Sequence, residues 1–266
     1  MNAAEPERIR HISSPAPVNL DDSWYELATL DHFWIQRRFE VLTRLASQPI
    51  QNANAIAEVG CGQGLLQRQL EDRYRVAVSG FDLNQEALKR TASRNSAVFC
   101  YNVLERKPEY KARFDVILLF DVLEHLEDED EFVKGVQFHL APKGKLIINV
   151  PAFQVFFSNY DRAVGHVRRY DVRALRGVSA RNGMFMRQWS YWGLPLIPLV
   201  ALRKIWTPQK NGDTTRAGFD NRGHLVNNVL LLLSRLETIP QHLLGTSLMA
   251  VLENRIEETV TGVESA

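Results

Sequence analysis

The chain has 266 residues, of which 45% are apolar and 24% charged, with a formal net charge of +1. That length and apolar content suit one decorated α/β domain with a sizeable core, and the balanced charge excludes an overall basic field for nucleic acid as well as the acidic excess of a disordered chain. Two cysteines, Cys61 and Cys100, can build neither a disulfide framework nor a paired CxxC zinc site, which fits a reducing, cytoplasmic setting.

Residues 1–19 combine Pro, Ala, Ser and charge without periodicity and read as a flexible arm. They lack the apolar stretch of a signal peptide, and no run of 18 apolar residues follows, so a soluble or at most peripheral protein is expected. Residues 31–46 place Ile35, Phe39, Leu42 and Leu45 at helical spacing beside Trp24, Tyr25, Phe33 and Trp34, predicting a helical lid over 20–50. Strands are then expected at 55–59, 76–81, 97–101, 114–120 and 145–150, with helices at 65–73, 85–94 and 130–140 between them. Such alternation implies a doubly wound parallel sheet with helices on both faces. Beyond Pro151 come a polar, aromatic loop, a helix at 171–182, a strand at 184–191, and an insertion at 192–246 with apolar 194–206, a polar loop at 212–223 and a helix at 225–236. A last strand is expected at 247–252, so residues 20–256 read as one domain and 257–266 as a tail.

The turn Glu58-Val59-Gly60-Cys61-Gly62-Gln63-Gly64 joins the first strand to a helix whose N-terminal N–H groups favour an anionic group such as a carboxylate. Asp82 ends the next strand, where a carboxylate can accept hydrogen bonds from two ribose hydroxyls. The GxGxG spacing differs from the dinucleotide GxGxxG, and Glu58 would repel a pyrophosphate while suiting an ammonium. A ligand with a methionine end fits better than a dinucleotide.

These residues, with Phe81-Asp82 and the segment from Phe114 through Asp121-Val122-Leu123-Glu124-His125-Leu126, resemble the successive motifs of class I S-adenosylmethionine-dependent methyltransferases. The resemblance implies a Rossmann-like sheet of seven strands, mostly parallel with an antiparallel last strand at Ser247-Leu248-Met249-Ala250-Val251. It implies S-adenosylmethionine as cofactor, held by Glu58, Gly60, Cys61, Gly62 and Gly64 at its methionine end, Asp82 and Leu83 at the ribose, Asn102 at the adenine amino group, and Phe120 and Asp121 alongside. Asn102 departs from the Asp common in the family, although an amide oxygen also accepts a hydrogen bond. The stretch Gly165-His166-Val167-Arg168-Arg169-Tyr170 and the element His32-Phe33-Trp34 resemble a subgroup with GHxRRY and HFW elements, which are expected to border the acceptor.

Methyl transfer from a sulfonium needs alignment and, for a hydroxyl, a proton acceptor; no metal is required. His166, Asp121 and His125 are the candidate catalytic groups; Asp121 and His125, four apart, would share one face if Asp121 opened a helix, or Asp121 would merely cap it. His32, Trp34, Arg168, Arg169, Tyr170 and Trp192 are the candidate acceptor residues, and seven arginines against two aspartates between Asp161 and Arg187 suit an anionic acceptor or a headgroup. The apolar 191–206 segment is open to three readings: a roof over the acceptor, a membrane contact with Arg203 and Lys204 at headgroups, or a homodimer interface. Methylation of a small or lipid-linked acceptor at oxygen is the expected activity, against C-methylation of an isoprenoid-like lipid, a non-catalytic methyltransferase-like module, or a dinucleotide oxidoreductase. Nucleic acid is not expected as a partner, since no NPPY-type tetrapeptide and no basic domain occur.

Overall fold

The computed structural model describes residues 9–18, 24–206 and 223–254. The expected tail at 257–266, most of the polar loop at 212–223 and the side chains of Trp24, Arg203 and Trp206 lie outside the described residues.

Eight strands form one sheet: β1 (Ile9–His11), β2 (Ile56–Val59), β3 (Val78–Asp82), β4 (Val98–Cys100), β5 (Phe114–Phe120), β6 (Leu140–Pro151), β7 (Met184–Trp192) and β8 (Ser247–Asn254). Their order is β1-β4-β3-β2-β5-β6-β8-β7. Every pair from β1 to β6 is parallel, while β8 runs antiparallel to both β6 and β7.

Seven of these strands match the expected ones; β1 does not, because it falls in the segment read as a flexible arm. An open β4 edge would carry unpaired backbone groups, and Ile9–His11 pairs with Val98–Cys100 along it. Three residues are too few to show a period in the sequence.

Helices α1 (Trp24–Leu27), α2 (Phe33–Asn52), α3 (Leu65–Tyr74), α4 (Gln85–Lys89), α5 (Glu129–His139), α6 (Asn159–Ala163), α7 (Val172–Arg181), α8 (Ile197–Trp206) and α9 (His224–Ser234) complete the fold. β5 is buried on both sides, so it reads as a continuous apolar run. Its Ile117 and Leu119 join Val133, Val136, Leu175 and Val178 of α5 and α7 on one face. Its Val116, Leu118 and Phe120 join Val41, Leu42, Leu45, Leu66 and Leu70 of α2 and α3 on the other. Helix α2 outruns its predicted end, continuing through Pro49 after a non-helical Ala46. The parallel strands all point their carboxyl ends to one rim, where Val59, Asp82, Cys100, Phe120 and Pro151 converge.

Candidate active site

Gly60, at the tip of the turn after β2, has φ +74°, and a Cβ there would lie 2.3 Å from Val122 Cγ2, so only glycine lets this turn pack against the segment after β5. The Gly62 N–H donates to Asp82 Oδ2 at 2.7 Å and the Asn84 N–H to Oδ1 at 2.8 Å, so one carboxylate shapes both strand-end turns. Glu58 is buried, and its Oε2 has no hydrogen-bond partner among the described residues. Burial raises its pKa to about 8; Arg38 opposes this and the Asp82 charge adds to it. Burial also pushes the Cys61 thiol well up, so it is inert packing beside the turn.

The N-terminal segment closes this half of the site. Ala16 N–H donates to the Leu83 carbonyl at 3.2 Å, and Asn102 N–H donates to Ser13 Oγ at 2.9 Å. Gln63 Nε2 donates to the Ala28 carbonyl at 2.6 Å, and Asn84 Nδ2 to the Tyr25 hydroxyl at 3.3 Å. The segment read as a flexible arm thus borders the same cavity through Pro17 and Val18, and the lid does so through Tyr25. Asn102 lines it as expected, but its Oδ1 already accepts from Leu104 N–H at 3.0 Å.

Asp121 adopts φ +58° and opens no helix; Val122 precedes the short 3₁₀ turn Leu123–His125. Its carboxylate accepts from Arg38 Nη1 and, at 2.7 Å, from Asn149 Nδ2, while Trp192 Nε1 donates to Asn149 Oδ1 at 2.9 Å. Burial raises the Asp121 pKa, and the Arg38 guanidinium works against it. Arg38 itself lies 4.9 Å from the Trp34 ring centroid and 5.3 Å from that of Phe120. The helix face that Asp121 and His125 were expected to share therefore does not form: the carboxylate bonds Arg38 and Asn149, and the His125 ring packs edge-on against His166 with centroids 4.8 Å apart.

His166 is held from behind. Its Nδ1 lies 2.9 Å from Asp161 Oδ1, an oxygen that also accepts from Arg169 Nε at 2.7 Å. Asp161 Oδ2 accepts from the Ser158 N–H and Oγ at 2.8 and 2.9 Å. Burial would raise this carboxyl, but the bonds from His166 and Arg169 prevail and depress it far below the usual range. Glu124 is buried against the same cluster, its Oε1 3.8 Å from His166 Nε2.

One cavity of about 680 Å³ runs from the glycine turn past Asp121, Glu124, His125 and His166 to an apolar wall of Leu196, Leu199, Val200, Val226 and Leu230.

A family described as methyltransferase domain matches residues 30–206, well over half of the chain. A ubiquinone biosynthesis O-methyltransferase of Idiomarina loihiensis is 30% identical over 115 residues, 41% of this chain and 43% of that protein. A Mycobacterium tuberculosis protein named a probable S-adenosylmethionine-dependent methyltransferase is 27% identical over 146 residues, 54% of this chain and 52% of its own. The chain thus spans about half the length of these relatives. The plantazolicin methyltransferase BpumL, solved with S-adenosylhomocysteine, shares the fold at TM-score 0.53 and 15% identity, covering 88% of both chains. A methyltransferase of Archaeoglobus fulgidus does so at TM-score 0.51 and 15% identity, covering 82% of this chain and 94% of that one. The chain belongs to the class I S-adenosylmethionine-dependent methyltransferases.

The methyltransferase cavity suits that cofactor. An unpartnered, buried Glu58 Oε2 would take an ammonium, and Asp82 has both oxygens ordered by backbone N–H groups at the place a ribose needs them. Glu58, Gly60, Cys61, Gly62, Asp82, Leu83, Asn102, Phe120 and Asp121 all line the cavity; Gly64 sits behind it, capping α3.

The expected catalytic and acceptor residues divide. Trp34, His125, His166 and Arg169 line the cavity, whereas His32, Arg168, Tyr170 and Trp192 do not. His32 is the α2 N-cap, its Nδ1 accepting from Trp34 N–H at 3.2 Å. Trp192 is fully buried beneath Asn149, with its ring 5.7 Å from Trp34. Arg168 and Tyr170 are spent on Glu129, at 3.2 and 2.6 Å, and Arg181 bonds Glu129 and Asp130. Three of the seven arginines, Arg168, Arg169 and Arg181, are thereby paired with acids of α5 and with Asp161. Arg38, Asn149 and Glu124 were missed: the first sits among the apolar positions of an amphipathic helix, the second inside a buried strand, and the third was quoted only as part of a motif.

Proposed function

We propose that this methyltransferase transfers the methyl group to a hydroxyl oxygen of a small or lipid-linked acceptor lying between His166 and the α8–α9 wall. The observation that carries the reading is the Asp161–His166 dyad at the cavity that runs on to the apolar wall of α8 and α9. A carboxylate that bonds Nδ1 fixes the ring and aims Nε2 at the cavity, where a hydroxyl proton can be received. The O-methyltransferase names of several relatives agree with the reading.

When bound, S-adenosylmethionine supplies an electrophilic methyl carbon on a sulfonium. In this reading Glu58 takes its ammonium, Asp82 its ribose hydroxyls and Asn102 borders its adenine, while Asp121, fixed by Arg38 and Asn149, shapes the wall beside the reacting centre. Trp34 and the apolar wall exclude water and hold the acceptor body.

A labelled-methyl assay over isoprenoid-linked phenols, paired with the same compounds lacking the hydroxyl, tests the proposal. Label is expected only in the hydroxylated members, as alkali-stable ether. Transfer to the hydroxyl-free members would replace it by C-methylation, and tight cofactor binding without transfer to any acceptor would favour a non-catalytic module.

A further inference from the structure

We propose that Glu124, His125 and His166 form a binding site for one divalent first-row transition-metal ion, placed to hold the acceptor's hydroxyl oxygen. The proposal rests on the oxygen-acceptor reading above for its role, but the site itself is argued from the side chains alone.

Each of the three residues offers a ligand atom, and these atoms lie within 4.8 Å of one another. They come from two segments that the fold clamps together: Val167 N–H donates to the Glu124 carbonyl at 2.8 Å, and Arg168 Nη2 to the Glu127 carbonyl at 3.0 Å. The pairing is therefore built into the backbone. His166 Nε2 and Glu124 Oε1 stand 3.8 Å apart, too far for a hydrogen bond. Two donors bound to a common ion at about 2.1 Å each stand roughly 3–4 Å apart.

Glu124 gives a second, independent indication. It is 1% exposed, lines the cavity, and its Oε2 has no partner among the described residues. A buried carboxylate without a partner is costly, and a cation beside it removes the cost. Arg169, whose charge acts on Glu124, bonds Asp161 and the Ala152 carbonyl.

The Asp161–His166 contact fits the same purpose. A metal-binding histidine ordinarily donates its other ring N–H to a carboxylate, which fixes the tautomer and leaves the outer nitrogen's lone pair for the ion. Asp161 meets His166 in that way at 2.9 Å and is itself anchored by three further hydrogen bonds, from the Ser158 N–H and Oγ and from Arg169 Nε. Two imidazoles with one carboxylate, open on the cavity side, select a transition ion over magnesium or calcium, which favour all-oxygen sets.

Coordination would lower the pKa of the acceptor hydroxyl. Its proton is released to solvent, the oxygen pair forms the new C–O bond, and the pair of the broken S–C bond remains on sulfur. With the ion bound, His166 acts as a ligand and Asp161 as its positioning residue.

The test is direct titration of the chelator-stripped full chain with Co²⁺ and Zn²⁺, read by calorimetry and by the Co²⁺ visible spectrum, with S-adenosylhomocysteine affinity as the control for folding. One ion per chain is expected. Glu124→Gln and His166→Gln should each weaken it at least tenfold, and Asp161→Asn about 10–100-fold, all three with cofactor affinity retained. Absence of saturable binding to the wild-type chain, or affinity unchanged in Glu124→Gln and His166→Gln, overturns the site. O-methylation persisting undiminished in strong chelator would overturn it too, while leaving the oxygen-acceptor reading in place with His166 as the base.

Discussion

Glu58 combines a carboxyl raised to about 8 with an oxygen that nothing in the fold satisfies. An ammonium ligand binds the ionised form, so S-adenosylhomocysteine affinity should rise about tenfold per pH unit from 6 toward 8 and then level. The ligand-free protein should behave in the opposite sense. A folded pKa near 8 against an ordinary 4.5 means this group's contribution is fully present below 4.5 and is lost as pH climbs through 8. Calorimetric affinity and thermal melts across that range check both, and Glu58→Gln should flatten both profiles. Asp82→Ala removes an acceptor that orders two backbone N–H groups, each bond to a charge being worth about 1.5–3 kcal/mol. Calorimetry should find cofactor affinity lower by on the order of a hundredfold; retained affinity would refute the ribose assignment. These residues were legible because they form contiguous signals at strand ends, where glycine spacing and an acid carry chemical meaning. His32 and Trp192 misled because a histidine can cap a helix and a tryptophan can fill a core as readily as either can touch a substrate, and nothing local distinguishes these.

At the scale of elements, the lid helix α2 is tied to the late insertion by one buried pair. Arg37 Nη2 reaches Glu237 Oε1 at 3.2 Å, and the same carboxylate accepts from the N–H groups of Gly193 and Leu194 at 2.7 and 2.9 Å. Glu237 thus joins α2, the turn after β7 and the segment after α9 at a single point. Removing the Glu237 carboxylate leaves the buried Arg37 with Glu40 as its acid partner and the Gly193 and Leu194 N–H groups unpaired, at about 1–3 kcal/mol for each unpaired group. Glu237→Ala should therefore lower the melting temperature by several degrees, and differential scanning calorimetry would show it. A shift under one degree would mean that this pair does not hold the lid, leaving its apolar face and the Arg235–Glu40 and Asn227 contacts to do so. No sequence pattern joins Arg37 to Glu237, because the contact exists only after the sheet has brought β7 beside β8. The sheet itself was legible strand by strand, since β5 and β6 are buried on both faces and announce themselves as apolar runs. β1, a short edge strand with a half-exposed Ile-Arg-His sequence, carries no such signal.

Across the whole molecule, the cavity and the surface are continuous through α9. Val226 and Leu230 of this helix line the cavity, while Leu225, Val229 and Leu232, with Leu236 just beyond it, are exposed. A helix that leaves several large apolar side chains exposed beyond the ones facing the cavity has another apolar phase to meet. Among the described residues no helix is long and apolar enough to cross a membrane. An amphiphilic acceptor whose tail leaves the cavity along α9 would reach those leucines first, which favours a bilayer surface as the apolar phase. Each leucine fully buried there would contribute about 1.5–3 kcal/mol, enough for several together to hold the protein on vesicles. The chain should therefore co-sediment with phosphatidylcholine vesicles, more strongly when an isoprenoid-linked phenol is included. The triple variant Leu225→Ser, Leu232→Ser, Leu236→Ser should lose that partition with little change in melting temperature, since the replaced side chains are already exposed. Should the wild-type chain ignore vesicles and instead sediment as a dimer that the triple variant dissolves, the face is a homodimer interface, and the acceptor must be small enough to lie wholly within the cavity.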